Sequence, residues 1–314
     1  MELEKNKSIY IYCRCGRRSN EAANYLAEQG YKVVDMDGGI LSWSAKNLPM
    51  VSESDGATSR IESQGIGHDS FTTQSGKNVK IHFIKHASLI LEIDGKIVYI
   101  DPTGMFGHDF SKLPKADAVM VTHEHHDHFD PKAIEAVVRP DTRLICNSRV
   151  AELAGKGEIM EPGDSTELYG IQVSATPAYN ISEGHLQFHP KERKDVGFIY
   201  DIDGLKIYVA GDTEDIPEMA NLKDIDIAFI PVNQPFTMTP QQAIHAIKMI
   251  QPRIVYPYHY GDTDLTPIVE AFKMTIKLTY ASKNCNSQKF LLKCQHQSRH
   301  TPIQLWPTTS RQKA

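Results

Sequence analysis

Long apolar runs are missing from this 314-residue chain, and none approaches the roughly 20 residues that a membrane span requires. The opening residues Met-Glu-Leu-Glu-Lys-Asn-Lys lack the apolar core of a secretory leader. A cytoplasmic location without a membrane partner is therefore expected. Cysteine is scarce: Cys13, Cys15, Cys146, Cys285 and Cys294 are odd in number and lack the spacing of a disulfide framework. Reduced thiols in a reducing compartment are the simpler expectation. Acidic residues are absent from Thr275 onward, where seven of the 34 basic residues lie. Residues 1–274 thus carry 27 basic and all 39 acidic side chains, a net charge of −12. A body that acidic argues against nucleic acid as the main partner.

What is present divides into four sections. In residues 1–50, Ser8 to Tyr12 and Lys32 to Met36 read as strands around a helix from Asn20 to Gln29 that Gly30 stops. Two strands and a helix cannot bury a core of their own. Residues 51–69, rich in Ser, Gly, Thr and Asp, read as a linker. Residues 70–272 alternate strand and helix signals, with Asp94-Gly95 and Asp203-Gly204 as hairpin turns between β-rich runs. Strand pairs come in two batches, each followed by helices, the pattern of an α/β fold with two sheets face to face and helices outside. Residues 273–314 show no sustained periodicity and read as a basic tail, disordered or loosely docked.

The chemistry concentrates at residues 123–128, His-Glu-His-His-Asp-His. Imidazole and carboxylate are ligands of zinc and its first-row neighbours, and a cation offsets the cost of packing them so densely. The cluster follows the apolar run Ala116 to Thr122, so it lies where a strand gives way to a loop. Six residues cannot enclose two ions, and further donors are expected at other strand ends. Asp212 follows the strand Lys206 to Ala210, and His259 follows the strand Arg253 to Tyr258. Each alone reads equally well as a turn aspartate or an interfacial histidine. His86, also after a strand, is a candidate for substrate contact or proton delivery.

The runs Lys85-His-Ala-Ser88, Thr122-His-Glu-His-His-Asp-His128, Thr176-Pro-Ala-Tyr-Asn180, Ala210-Gly-Asp-Thr-Glu214 and Tyr256-Pro-Tyr-His-Tyr260 resemble the metallo-β-lactamase fold superfamily. Within it they look like the branch of the ascorbate-6-phosphate lactonase. The resemblance implies an αββα sandwich with one or two metal ions, zinc or alternatively manganese or iron(II). By position, His123 and His125 would hold one ion, Asp127, His128 and His259 the other, and Asp212 would bridge. Asp127 would also orient a metal-activated hydroxide. The superfamily's further histidine for the first ion falls at Asn180 here, which leaves Asn180, His185 and His189 as candidates.

Near the amino terminus, Cys13-Arg-Cys-Gly-Arg-Arg-Ser19 stands between a strand and a helix. Backbone N–H groups at a helix start form an anion cradle and lower a thiol's pKa. This run and Asp37-Gly-Gly-Ile-Leu-Ser-Trp43 resemble the second half of a rhodanese domain, in which Cys13 would be the sulfurtransferase nucleophile. Three functional readings follow. The first is a metal-dependent hydrolase acting on a small ester, lactone or phosphodiester, with a small molecule as its partner and homo-oligomerisation left open. The second is a sulfur-metabolism enzyme of the persulfide dioxygenase kind. The third is a non-catalytic metal-binding protein.

Overall fold

Asp94 and Gly95 adopt φ of 48° and 84°, and Asp203 and Gly204 φ of 54° and 83°. Two successive left-handed residues match the twist of a two-residue hairpin, which Asp-Gly supplies at low strain. These turns close β-hairpins in a computed structural model that describes residue 5, residues 8–13, 15–45 and 53–272, and two short strands at 291–293 and 302–304. The chain divides into two compact units, Met1–Asp55 and Gly56–Ala314.

In the first unit, β1 (Ser8–Ile11) and β2 (Lys32–Asp35) pair in parallel and are connected by α1 (Arg17–Glu28), with α2 (Gly39–Ala45) following. Gly16 caps α1 with φ 85°, and a Cβ there would stand 2.9 Å from the Gly38 nitrogen. Only glycine lets the cysteine loop approach the Gly38-Gly39 turn so closely. Among the described residues of this unit little is buried: Ala23 is inside, whereas Tyr10, Tyr12 and Val34 are exposed.

The second unit begins in α3 (Glu53–Glu62) and continues through β3 (His68–Thr72), β4 (Asn78–Lys85), β5 (Ser88–Ile93), β6 (Lys96–Ile100) and β7 (Ala118–Val121). After α4 (Pro131–Val137) come β8 (Arg143–Cys146), α5 (Ser148–Ala154), β9 (Glu158–Ile159), β10 (Ser165–Leu168), β11 (Ile171–Ala178), β12 (Asp195–Ile202), β13 (Leu205–Val209) and β14 (Ile227–Pro231). The order ends with α6 (Pro240–Ile250), β15 (Ile254–Tyr258), α7 (Thr266–Phe272), β16 (Leu291–Lys293) and β17 (Pro302–Gln304). One sheet runs β3 to β9 in sequence order, and the other runs β10-β11-β12-β13-β14-β15-β17-β16.

Period-two alternation explains the layering. Along β5, Leu89 and Leu91 join a core shared with Phe198 and Phe229 of the other sheet, while Ile90 faces away. Ile90 packs in a second cluster with Ile61 of α3, Ile134 of α4 and Val150 of α5. A third cluster sets Tyr208 and Val255 against Ala246 and Ile247 of α6 and Ile268 of α7. The layers are therefore helix, sheet, sheet, helix, as expected. In both sheets a hairpin start gives way to parallel pairing, at β6-β7-β8 and at β13-β14-β15. The carboxyl ends of these parallel strands face one edge, where sites in α/β folds are built.

Of the linker expected at 51–69, residues 53–62 form α3 and residues 68–69 begin β3. Ile61 and Ile66 are buried, Thr58 Oγ1 donates to the buried Glu92 Oε2 at 2.7 Å, and His68 pairs with His82 across β3 and β4. Tertiary contacts of these four residues override a composition that reads as loop. In the tail, Pro302–Gln304 pairs with β15 and with Leu291–Lys293. Within the tail expected to be disordered or loosely docked, these two strands are paired; the rest of 273–314, with Cys285 and Cys294, lies outside the described residues. Cys13, Cys15 and Cys146 are free thiols. Among the described residues, no helix is long and apolar enough to cross a membrane.

Candidate metal centre

Apart from His189, which lies in the loop before β12, the donors follow strand ends. His123 to His128 leave β7, Asp212 leaves β13 through Gly211, and His259 leaves β15. Gly211 has φ 68°, and a Cβ there would meet the Val196 carbonyl oxygen at 2.8 Å. The strand can thus turn Asp212 into the sheet edge only with glycine before it. His86 and His259 are themselves left-handed, at φ 58° and 50°. The His259 N–H donates to the His86 carbonyl at 3.1 Å, and the two rings lie 3.8 Å apart. Strained backbone that the surroundings hold in place is common at functional sites.

The donors fall into two groups, His123, His125, His189 and Asp212, and His86, Asp127, His128 and His259, each with its ligand atoms within 4.8 Å of one another. Asp212 connects them: its Oδ1 is 3.2 Å from His128 Nε2 and its Oδ2 is 3.2 Å from His259 Nε2. Asp212 Oδ2 is also 3.5 Å from His189 Nε2 and 3.9 Å from His123 Nε2. Asp127 Oδ2 lies 3.0 Å from His86 Nε2 and 3.1 Å from His259 Nε2.

Outer partners set which ring nitrogen is free. Asp101 accepts at Oδ2 from His128 Nδ1 at 2.8 Å and from Thr122 Oγ1 at 2.8 Å. Because Thr122 spends its proton on Asp101, its oxygen accepts from His123 Nδ1 at 3.0 Å. Asp195 Oδ2 stands 3.2 Å from His189 Nδ1. His123, His128 and His189 consequently turn Nε2 inward, the arrangement that carboxylate partners impose on metal-binding histidines. Buried His128 Nε2, His189 Nε2 and Asp212 Oδ1 make no hydrogen bond. Buried polar atoms converging without a hydrogen-bond partner are a set that a cation satisfies, and these residues fit a divalent ion.

The charges say the same. Burial opposes charge on Asp212, yet His128 and His259 hold it well below the usual carboxylate range. Burial also opposes charge on Asp127, and hydrogen bonds from His259 and His86 hold it far down too. Against the same penalty, Asp212 and Asp101 raise His128 well above its ordinary value, and Asp212 with Asp127 raises His259 to about 9. Burial takes His86 down to about 4, and burial with His189 and Arg193 takes His125 to about 4. In the protein alone, protons on His128 and His259 supply the positive charge that a metal ion would bring.

Of the three candidates for the further ligand, the structure brings in His189. Asn180 instead donates through Nδ2 to the carbonyls of Phe236 at 2.9 Å and His185 at 3.2 Å. His185 Nδ1 faces Glu214 at 3.4 Å. Both therefore shape the loop that delivers His189 and stand outside the ligand groups. Sequence reasoning missed Asp101, Thr122, Asp195 and Arg193. Asp101 had a signal, since it follows β6 as Asp212 follows β13. Arg193 holds two ligand loops together: its guanidinium is 3.0 Å from His125 Nε2, 3.0 Å from Glu124 and 3.1 Å from Asp195.

Residues 80–259 match the family model described as a beta-lactamase superfamily domain, and residues 1–46 match that of a rhodanese-like domain. A UPF0173 metal-dependent hydrolase of Pelotomaculum thermopropionicum is 32% identical over 202 residues, covering 58% of this chain and 85% of its own. One from Natranaerobius thermophilus is 32% identical over 229 residues, covering 68% and 96%. A crystal structure from Parabacteroides distasonis, assigned as a metal-dependent hydrolase, is 49% identical with a TM-score of 0.65, covering 66% of this chain and 94% of that one. Strand-end donors, a shared aspartate and these likenesses converge, and the chain belongs to the beta-lactamase superfamily as a metal-dependent hydrolase with a rhodanese-like segment in front.

Proposed function

We propose that the protein hydrolyses a small ester, lactone or phosphodiester at the joined His/Asp cluster. The observation that carries this reading is the position of Asp212, buried between the two ligand groups with Oδ1 at 3.2 Å from His128 and Oδ2 at 3.2 Å from His259 of one group and 3.5 Å from His189 of the other. His123, His125 and His189 would hold one ion, Asp127, His128 and His259 another, with Asp212 between them. When bound, zinc, manganese or iron(II) supplies Lewis acidity that brings a water pKa toward about 7 and polarises the scissile oxygen. Asp127 is the open carboxylate of the pair, 27% exposed against 2% for Asp212. Held ionised, it can accept a hydrogen bond from the attacking water and orient it. His86 is neutral at pH 7 and donates to Asp127. That state suits a residue fixing the carboxylate better than an acid protonating the leaving group.

The test is metal content and turnover on the full chain loaded in turn with zinc, manganese and iron(II). Hydrolysis of p-nitrophenyl acetate, a γ-lactone or bis-p-nitrophenyl phosphate, abolished by chelation, is expected. Tight metal binding with no cleavage of any of the three points to a non-catalytic role. Oxygen uptake with glutathione persulfide in the iron form points to the dioxygenase reading.

The first unit favours a separate activity. Cys13 Sγ accepts from the Gly16 N–H at 3.1 Å and from Ser19 Oγ at 3.6 Å. The Ser19 bond foremost lowers this thiol to about 6. A thiolate at neutral pH can attack the outer sulfur of thiosulfate, breaking its S–S bond with release of sulfite and keeping that sulfur as a persulfide. Transfer of sulfur from thiosulfate to cyanide, lost in Cys13→Ser, checks this reading.

A further inference from the structure

Four of the exposed large apolar side chains of the second unit, Met105, Ile181, Leu186 and Phe236, belong to loops around the ligand cluster. Scattered surface leucines mean little, but apolar side chains gathered at the mouth of a reactive site mark a binding surface. One rim lies beside His86: the Phe106 ring packs 4.4 Å from that imidazole. Met105 is next in sequence, its N–H bonded to Thr103 Oγ1, which in turn donates to the His126 carbonyl.

The other rim is the loop 181–188, tied at its base by the Asn180 N–H on the His189 carbonyl at 2.8 Å. It is held in place from beneath, because the buried Glu214 accepts from the N–H groups of Ile181 and Ser182 at 2.7 and 2.6 Å. Phe188 meets Phe236 ring to ring at 5.0 Å, and Arg193 donates to the Phe188 carbonyl while also standing against His125. The first rim is thus held against His86 and the second against His189 and His125, so both are fixed by the cluster.

The cations near this second rim already have carboxylate partners. Arg193 is with Glu124, Lys191 with Glu218 at 3.0 Å, and Lys194 with Glu161 at 2.7 Å. A substrate rich in phosphate would find these charges spent, whereas an apolar chain finds surface that gains by leaving water. We infer that the substrate carries an acyl or alkyl arm beside its scissile bond, and that this arm lies along the rims formed by Met105 and Phe106 and by Ile181, Leu186 and Phe236. The inference rests on the hydrolytic reading for the scissile bond, but not for the arm.

Calorimetric binding of alkylphosphonates to the metal-loaded full chain tests the arm without turnover. Affinity should rise by about tenfold or more from methylphosphonate to octylphosphonate, since each buried methylene favours binding severalfold. In Leu186→Ser and Ile181→Ser that rise should shrink by about threefold, with methylphosphonate as the reference in each protein. Equal affinity for all chain lengths overturns the inference, as does a rise that neither variant alters. Hydrolysis is scored separately on p-nitrophenyl acetate: chain-length-dependent binding without cleavage keeps the arm and removes the hydrolytic reading, and cleavage with flat binding does the reverse.

Discussion

The two candidate centres of this chain are built in opposite ways. Around Asp212, donors from β4, β7, β13, β15 and the loop before β12 converge, and carboxylates and a threonine orient several of their rings. Around Cys13, one loop of seven residues and the start of one helix do everything, beside strands that leave Tyr10 and Tyr12 in water. Chemistry that needs several groups at fixed distances demands a packed sandwich to hold them, while a single activated sulfur needs only local N–H and O–H donors. The first arrangement should therefore fail globally when one part is removed and the second only locally.

The largest effect is expected at the shared carboxylate. Asp212→Asn should reduce bound metal in both groups and lower hydrolysis by roughly a thousandfold or more; retention of two ions by elemental analysis would break the comparison. His125→Ala should lose metal and activity together, by about a hundredfold or more, whereas Cys13→Ser should leave hydrolysis as it was. A hydrolytic defect in the cysteine variant would show that the two centres depend on one another.

Asp101→Ala tests the outer partners. It strands His128 Nδ1 and Thr122 Oγ1 in the interior, at about 2–3 kcal/mol of stability, and should weaken metal binding by about 10- to 100-fold. Urea melts and metal titrations read the two effects. The protein without metal should also respond to alkali. His259 has a folded value of about 9 against an ordinary 6.5, so its contribution to stability is complete below 6.5 and is lost as pH rises through 9. The melting temperature of metal-free protein should fall over that window, and metal-loaded protein, whose histidines are already deprotonated, should not follow it. At the local centre, alkylation of Cys13 should reach half its maximal rate near pH 6. Ser19→Ala should move that midpoint upward, because the strongest bond lowering the thiol is gone; an unmoved midpoint would assign the activation to the helix start alone.

Much of this was legible in the chain itself. The hairpin turns at Asp94-Gly95 and Asp203-Gly204 announce themselves, because Asp-Gly is among the few pairs that accept two left-handed residues. Six of the donors could be named from their position after apolar runs, since a buried strand must end before polar chemistry begins. The helix α3 could not, because its burial rests on Ile61 and on a threonine bonded to Glu92, 34 residues away. No local period records such a contact.

Residue types and their place at strand ends are properties of order along the chain, and they were enough to indicate a divalent metal and a layered α/β scaffold. Which histidine completes the first ligand group is not a property of order. His189 rather than Asn180 or His185 reaches the cluster because the loop 181–188 closes on itself, with Asn180 and Glu214 holding its backbone. Likewise Asp101 and Asp195 choose the ring nitrogens only once separate strands lie side by side. Hydrogen bonds act over about 3 Å, so pairings between residues far apart in the chain exist only after the sheets have packed.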